Sequence, residues 1–335
     1  MESILIFPLV IGFFLTLFFT PLWIKKARNI GLVWEDMNKL STPKNVAGSG
    51  GLIVLFGFII GVLSYIAIKT FILNTDTTTI EIFSLLTTVL IAGMVGFVDD
   101  IFGWVHGGLS AKFRLLLLFF AAIPLMVINA GESTMMGVNF GLFYPLFFIP
   151  LGIIGASATF NFLAGYNGLE AIQGIIILSA LSIVLWLNGT SWLSLILLIM
   201  VVCLIAFFIF NKYPAKVFPG DILTYTVGCL IAIAAILGNI EKIAVFFFIP
   251  YIIETGLKCR GGLKKQSFAK VDDSGGLNVP YNKFYGLEHL AIYILKKIRK
   301  NRKVDEKDVV LAVSFFQILV ILIGFILFRN SIFML

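Results

Sequence analysis

The sequence predicts an all-α, polytopic membrane helical bundle of about ten transmembrane helices, and three features lead to it. Of its 335 residues 59% are hydrophobic and 13% charged, and the mean hydropathy is +1.03, a balance foreign to water-soluble domains. The apolar stretches are continuous rather than alternating, which suits helices that satisfy their own backbone in lipid and not a transmembrane β-barrel. All but three of the 25 Lys and Arg (Lys69, Lys242 and Arg329) fall in segments that an alternating path places on one face.

Taken in order, charge-free windows long enough to cross about 30 Å of hydrocarbon run from Ser3 to Ile24, Asn45 to Ile68, Ile82 to Val98 and Leu115 to Gly131. The first lacks a basic leader and a small-residue cleavage site, so it reads as a retained helix rather than a signal peptide. The stretch from Ser133 to Leu169 holds one short helix ending near Thr159. The stretch from Ala171 to Asn211 is nearly twice a span and splits into two helices at the turn Asn188-Gly189-Thr190-Ser191. Runs from Ile222 to Ile240, from Ile243 to Ile253 with its extension, and from Val309 to Phe328 complete a single domain over 1–335. Both termini then lie outside, and the basic face, with its long loop 258–307, is cytoplasmic. The net charge of +7 is thereby concentrated where it attracts membrane lipid headgroups and anionic substrates. That loop has few aromatics and sits against a bilayer, so no nucleic acid partner is expected.

Cys203, Cys229 and Cys259 form no CxxC pair, and neither His106 nor His289 belongs to a zinc motif; no disulfide framework or zinc site is expected. Positive-inside sorting does not call for the acids and amides at the same helix ends: Asp99 and Asp100, Asn161 and Asn167, and Asp221. Adjacent carboxylates at a helix mouth repel unless they share a cation, and ionisable groups at membrane depth are functional by default. A hard divalent ion resolves that conflict. Mg²⁺, with Mn²⁺ as an alternative, takes one or two carboxylates plus substrate phosphates, which matches a sparse set of Asp and Asn. The bland alternatives are that the paired aspartates cap the next loop and that Asp221 is an ordinary N-cap.

Asn161-Phe-Leu-Ala-Gly-Tyr-Asn-Gly-Leu-Glu170 lies where a helix breaks at the interface; Gly165 lets backbone approach a ligand and Asn167 can pair with an amide-bearing base edge. Tyr213-Pro-Ala-Lys-Val-Phe-Pro-Gly-Asp221 presents Phe218 and a carboxylate just before a helix. Gly48-Ser-Gly-Gly51 could offer N–H groups to a phosphate or serve close packing.

Together with Asp36-Met-Asn-Lys39, Gly96-Phe-Val-Asp-Asp100 and Pro280-Tyr-Asn-Lys-Phe284, these motifs stand in an order that resembles the polyprenyl-phosphate N-acetylhexosamine-1-phosphate transferases over nearly the whole chain. The likeness is greatest to the eukaryotic and archaeal branch acting on dolichyl phosphate. It implies transfer of a hexosamine 1-phosphate, most simply N-acetylglucosamine 1-phosphate, from a UDP-N-acetylhexosamine to a polyprenyl or dolichyl phosphate, with release of UMP. That is the first membrane step of lipid-linked glycan assembly, in a prokaryotic plasma membrane or the endoplasmic reticulum. By similarity Asn161 and Asp221 hold Mg²⁺, Asp99 and Asp100 orient the metal site or assist the attacking phosphate, and Lys39, Gly165, Asn167, Phe218 and Arg260 bind substrate, with uracil stacked on Phe218. The family's phosphate-binding Lys has two counterparts, Lys112 and Arg114. The bacterial branch has aspartates where this chain has Ala164 and Asn167, and a histidine cluster in the last loop, which sets the chain apart from the peptidoglycan enzyme. A homodimer is compatible with the sequence, and an ion-coupled transporter is the rival function.

Overall fold

A computed structural model describes residues 3–75, 77–135, 137–299 and 302–332; the side chain of His106 lies outside the described part. Its helices are α1 (Ile6–Asn29), α2 (Gly51–Phe71), α3 (Thr79–His106), α4 (Ala111–Val127), α5 (Ile149–Phe160), α6 (Leu169–Leu187), α7 (Ser191–Asn211), α8 (Gly220–Gly238), α9 (Glu241–Phe247), α10 (Ile249–Arg260), α11 (Leu287–Ile298), α12 (Glu306–Leu327) and α13 (Arg329–Ile332). A five-residue π-helical stretch, Tyr144–Phe148, leads into α5. Among the described residues seven helices, α1, α2, α3, α6, α7, α8 and α12, are long and apolar enough to cross a membrane. The expectation of ten spans therefore becomes seven full-length helices plus shorter ones: α4 with 17 residues, Tyr144–Phe160, and the pair α9 and α10.

α8 runs through the centre, buried on all sides from Ile222 to Ile236, and packs chiefly against α3 and α5. A helix apolar all round belongs in such a position. The approach of α3 to α8 depends on Gly96, where a Cβ would come within 2.4 Å of the Asp221 carbonyl oxygen. α9 and α10 form one interrupted helix. Pro250 has no N–H to continue the ladder, and the side chain of Gln317 donates to the Phe247 carbonyl at 2.8 Å, satisfying part of what the break exposes.

Several boundaries differ from the sequence expectation for clear reasons. α2 starts at Gly51 rather than Asn45, because Val46–Ala47 pairs antiparallel with Val33–Trp34. α3 continues to His106, so Asp99 and Asp100 sit inside its last turns rather than capping a loop. α11 was hidden in the basic loop; its buried face is Leu287, Glu288, His289, Ala291 and Ile292. All three cysteines are free, Cys203 and Cys229 buried and Cys259 exposed.

The ends that gather at one pole of the bundle are the C-terminal ends of α1, α3, α5, α7 and α10 and the N-terminal ends of α2, α4, α6, α8 and α12. Short tertiary hydrogen bonds stitch the intervening loops together there. The Phe218 N–H donates to the Ala47 carbonyl at 2.7 Å, while the Gly50 and Gly51 amides donate to the Phe218 and Pro219 carbonyls, each at 2.9 Å. Those glycine amides are thus occupied by backbone, and Gly48–Gly51 acts as a packing element rather than a phosphate cradle.

Candidate active site

A cleft of about 880 Å³ opens at this pole. Side chains from four helices far apart in sequence meet in it: Asp99 and Asp100 from α3, Arg114 from α4, Asn161 at the end of α5, and Asp221 in the first turn of α8. Consecutive helical residues point about 100° apart, so the two aspartates have separate tasks. Asp99 turns toward α4: its Oδ1 accepts the Leu109 N–H at 2.7 Å and its Oδ2 accepts from Arg114 Nη1 at 2.8 Å. Asp100 turns toward α8, where its Oδ1 accepts the Asp221 N–H at 2.7 Å. Its Oδ2 is buried and makes no hydrogen bond of ordinary length, with the Ser49 hydroxyl and the Ile222 N–H beside the carboxylate. Gly220 makes room for it, since a Cβ there would lie 2.1 Å from that oxygen, and its φ of +73° is one that glycine adopts readily.

Asp221 is not the N-cap of α8; Pro219 holds that place. The Asp221 carboxylate faces Arg114 Nη1 at 3.7 Å, and the amide of Asn161 lies beside it. Among the groups facing one another here, three carboxylates are balanced by a single guanidinium. Of the two basic candidates, Arg114 enters the cleft, whereas Lys112 is exposed and outside its lining.

The other predicted residues divide. Gly165 and Phe218 line the cleft. Lys39, Asn167 and Arg260 do not: Arg260 is exposed in the last turn of α10, while Lys39 and Asn167 belong to a polar cluster behind the wall. There Lys39 bridges Asp36, at 3.0 Å, and Glu306, and its ammonium lies 4.5 Å from the Tyr213 ring centroid. Asn167 donates its side-chain amide to Asp36 Oδ2 at 3.2 Å and its backbone N–H to Glu306 Oε1 at 2.7 Å. These bonds engage one N–H of the Asn167 amide and its backbone N–H. Gly165 is held by other groups: its carbonyl accepts from Asn38 Nδ2 at 3.2 Å and its N–H donates to Glu170 Oε1 at 2.8 Å.

Sequence reasoning missed Glu306, Tyr166, Trp34 and Phe268. The last three line the cleft, and Glu306 anchors the cluster behind it. Tyr166 carries a phenol that burial keeps well above its ordinary range, so it serves as a hydroxyl donor, to the Ser267 carbonyl at 3.2 Å. Glu306 stands at the start of an apolar run next to the capping box of Asp305 and Asp308, and had no local mark of its own.

Fold and cleft together define a helical membrane protein with an acidic centre at one pole. The sequence model of glycosyl transferase family 4 matches residues 82–239. A Saccharolobus solfataricus protein carrying the name UDP-N-acetylglucosamine–dolichyl-phosphate N-acetylglucosaminephosphotransferase is 38% identical over 82% of this chain and 83% of its own length. A Sulfolobus acidocaldarius protein of the same name is 33% identical over 87% and 88%. A phospho-N-acetylmuramoyl-pentapeptide-transferase of Streptococcus pyogenes is 27% identical over 73% and 76%. The chain belongs to glycosyl transferase family 4, in common with these transferases, and the transporter alternative gains no support from them.

Proposed function

We propose that the protein transfers N-acetylglucosamine 1-phosphate from UDP-N-acetylglucosamine to dolichyl or polyprenyl phosphate. An oxygen of the lipid phosphate forms a bond to the sugar-linked phosphorus, the bond from that phosphorus to the bridging oxygen breaks, and UMP leaves with the bridging oxygen. The observation that carries this reading is the meeting of Asp99, Asp100, Arg114, Asn161 and Asp221 in one cleft, in a chain whose archaeal relatives bear the name of this activity.

In phosphoryl transfer the protein's work is positioning and charge stabilisation. Arg114, anchored by Asp99, offers a planar fork for phosphate oxygens, a role the point charge of a lysine fills less specifically. Phe218 presents an aromatic wall for the uracil, and Gly165 presents bare backbone beside it. The carboxylates of Asp100 and Asp221 with the amide of Asn161 suit a hard cation, and the buried Asp100 Oδ2, which makes no hydrogen bond of ordinary length, is an atom that such an ion would satisfy. Two carboxylates and an amide are too few to hold such an ion alone, so substrate phosphates and water would complete its shell. When bound, Mg²⁺ or Mn²⁺ supplies Lewis-acid neutralisation of the diphosphate.

With α4, Tyr144–Phe160 and the α9–α10 pair counted as further crossings, the chain has ten spans, both termini outside and the cleft on the cytoplasmic face, as the Lys and Arg distribution favours. The test is a purified-protein assay with radiolabelled UDP-N-acetylglucosamine, dolichyl phosphate and Mg²⁺. Lipid-linked product and stoichiometric UMP are expected, with both lost in excess chelator and in Asp221→Asn. Wild-type protein that makes neither refutes the activity; full turnover in chelator removes the metal assignment.

A further inference from the structure

The main cleft continues into a smaller pocket of about 290 Å³, and both have Asn161, Ala164, Gly165, Gln266 and Phe268 in their walls. Phe268 stands against Gly165 so closely that a Cβ at the glycine would lie 2.9 Å from the ring, and Gly165 has a φ of +101°. The ring therefore forms part of the partition between the two spaces. It rides on a segment without regular secondary structure, which has no helix to fix its position.

Three attachments, two of them buried, supply that rigidity instead. Lys258 Nζ donates to Ser267 Oγ, the Tyr166 hydroxyl donates to the Ser267 carbonyl at 3.2 Å, and the Ala269 N–H donates to Asn38 Oδ1 at 3.1 Å. Asn38 is the residue that also donates to the Gly165 carbonyl, so both sides of the ring–glycine contact share one clamp. Lys258 is in turn held by Glu254, whose Oε1 lies 3.6 Å away and whose Oε2 accepts the Leu287 N–H at 2.6 Å. Glu254, Lys258, Ser267, Tyr166 and Asn38 are all buried. The chain of contacts runs from the start of α11, through α10, to the cleft wall. Burying an ammonium carries a desolvation penalty of several kcal/mol, and here Ser267, Glu254 and the buried carboxylate of Glu288 offset it.

Resting on the transferase reading above, we propose that Lys258 is a positioning residue for the nucleotide-sugar: acting through Ser267, it holds Phe268 against Gly165 and so sets the partition between the cleft and its side pocket. The clasp touches neither Arg114 nor the aspartates, which bear on the phosphates of both substrates, and acts at Gly165, the backbone placed beside the uracil. Donor and acceptor should therefore respond differently.

Steady-state kinetics with both substrates varied decides it. Ser267→Ala and Lys258→Met are expected to raise the KM for UDP-N-acetylglucosamine by about tenfold, in line with loss of a charge-assisted hydrogen bond. The KM for dolichyl phosphate and kcat should stay within about twofold. Because the two residues act in one chain, the double variant should be no worse than the worse single one. Ser267→Thr, which keeps the hydroxyl, should restore the donor KM, and Phe268→Ala should reproduce its rise. A donor KM unchanged in Ser267→Ala, or donor and acceptor KM rising together, overturns the proposal while leaving the transferase reading intact; absence of wild-type turnover overturns that reading itself. Should Lys258→Met fail to fold, the milder Ser267→Ala and Ser267→Thr pair carries the test.

Discussion

Replacing Gly220 by alanine adds one methyl group at the point where α8 meets α3, and the structure sets the size of the effect. The new Cβ would stand 2.1 Å from Asp100 Oδ2, 2.8 Å from its Cγ and 3.0 Å from Oδ1, so the carboxylate must move. Moving it breaks the 2.7 Å bond from the Asp221 N–H, a hydrogen bond to a charged group worth about 1.5–3 kcal/mol. The residue's φ of +73° adds roughly 1–2 kcal/mol for any side chain with a Cβ. A displacement of about 1 Å in a positioned reacting group commonly costs about 10²-fold in rate. Gly220→Ala is thus expected to lower kcat by about a hundredfold with the protein still folded in detergent, as read by size-exclusion profile and thermal unfolding. Gly155→Ala is the control: a Cβ there meets nothing within 4 Å and sits inside α5, so activity should not change. Gly220→Ala with turnover within twofold of wild type would refute the assignment of Asp100 to the reaction centre.

Two further perturbations probe other parts of the same pole. Lys39→Met removes the ammonium between Asp36 and Glu306 and leaves two buried carboxylates uncompensated, which should destabilise the protein by about 3–5 kcal/mol in a denaturation series, whereas Lys39→Met combined with Glu306→Gln should recover part of that loss. A Lys39→Met protein as stable as wild type would contradict the cluster. In the loop between α10 and α11, hydrogen bonds from Ser274, Gly276 and Asn278 hold the Asp272 carboxyl at about 2. Its folded value lies below the ordinary carboxylate value, so the contribution to stability is fully present above about pH 4 and fades as pH falls through 2. Amide exchange of Ser274 and Gly276 should accelerate over that window in wild type and be pH-independent there, after correction for intrinsic exchange, in Asp272→Asn.

The long apolar runs determined by themselves that this chain is a helical membrane bundle, because backbone groups in lipid leave helices as the solution for continuous apolar segments. Motif order was equally legible, and Asp99, Asp100, Asn161, Gly165, Phe218 and Asp221 do line one cleft. Direction was not legible, because it depends on how far a helix continues and on what packs against it. Six more residues of α3 beyond Asp100 sent the paired aspartates toward different partners, Arg114 and the Asp221 amide. The choice between Lys112 and Arg114 likewise waited on the start of α4, since residues two apart on a helix point about 200° apart. Asn167 and Lys39 read as substrate-binding residues, and their tie to Glu306 was hidden because Glu306 lies 267 positions from Lys39 and carries no local signature. Phe268 is one phenylalanine among 34; only the fold, by laying it on Gly165 and fastening its neighbour to Lys258, makes it part of the wall. Local pattern determines which segments enter the membrane, while contacts between distant segments decide which polar groups are left free to meet a substrate.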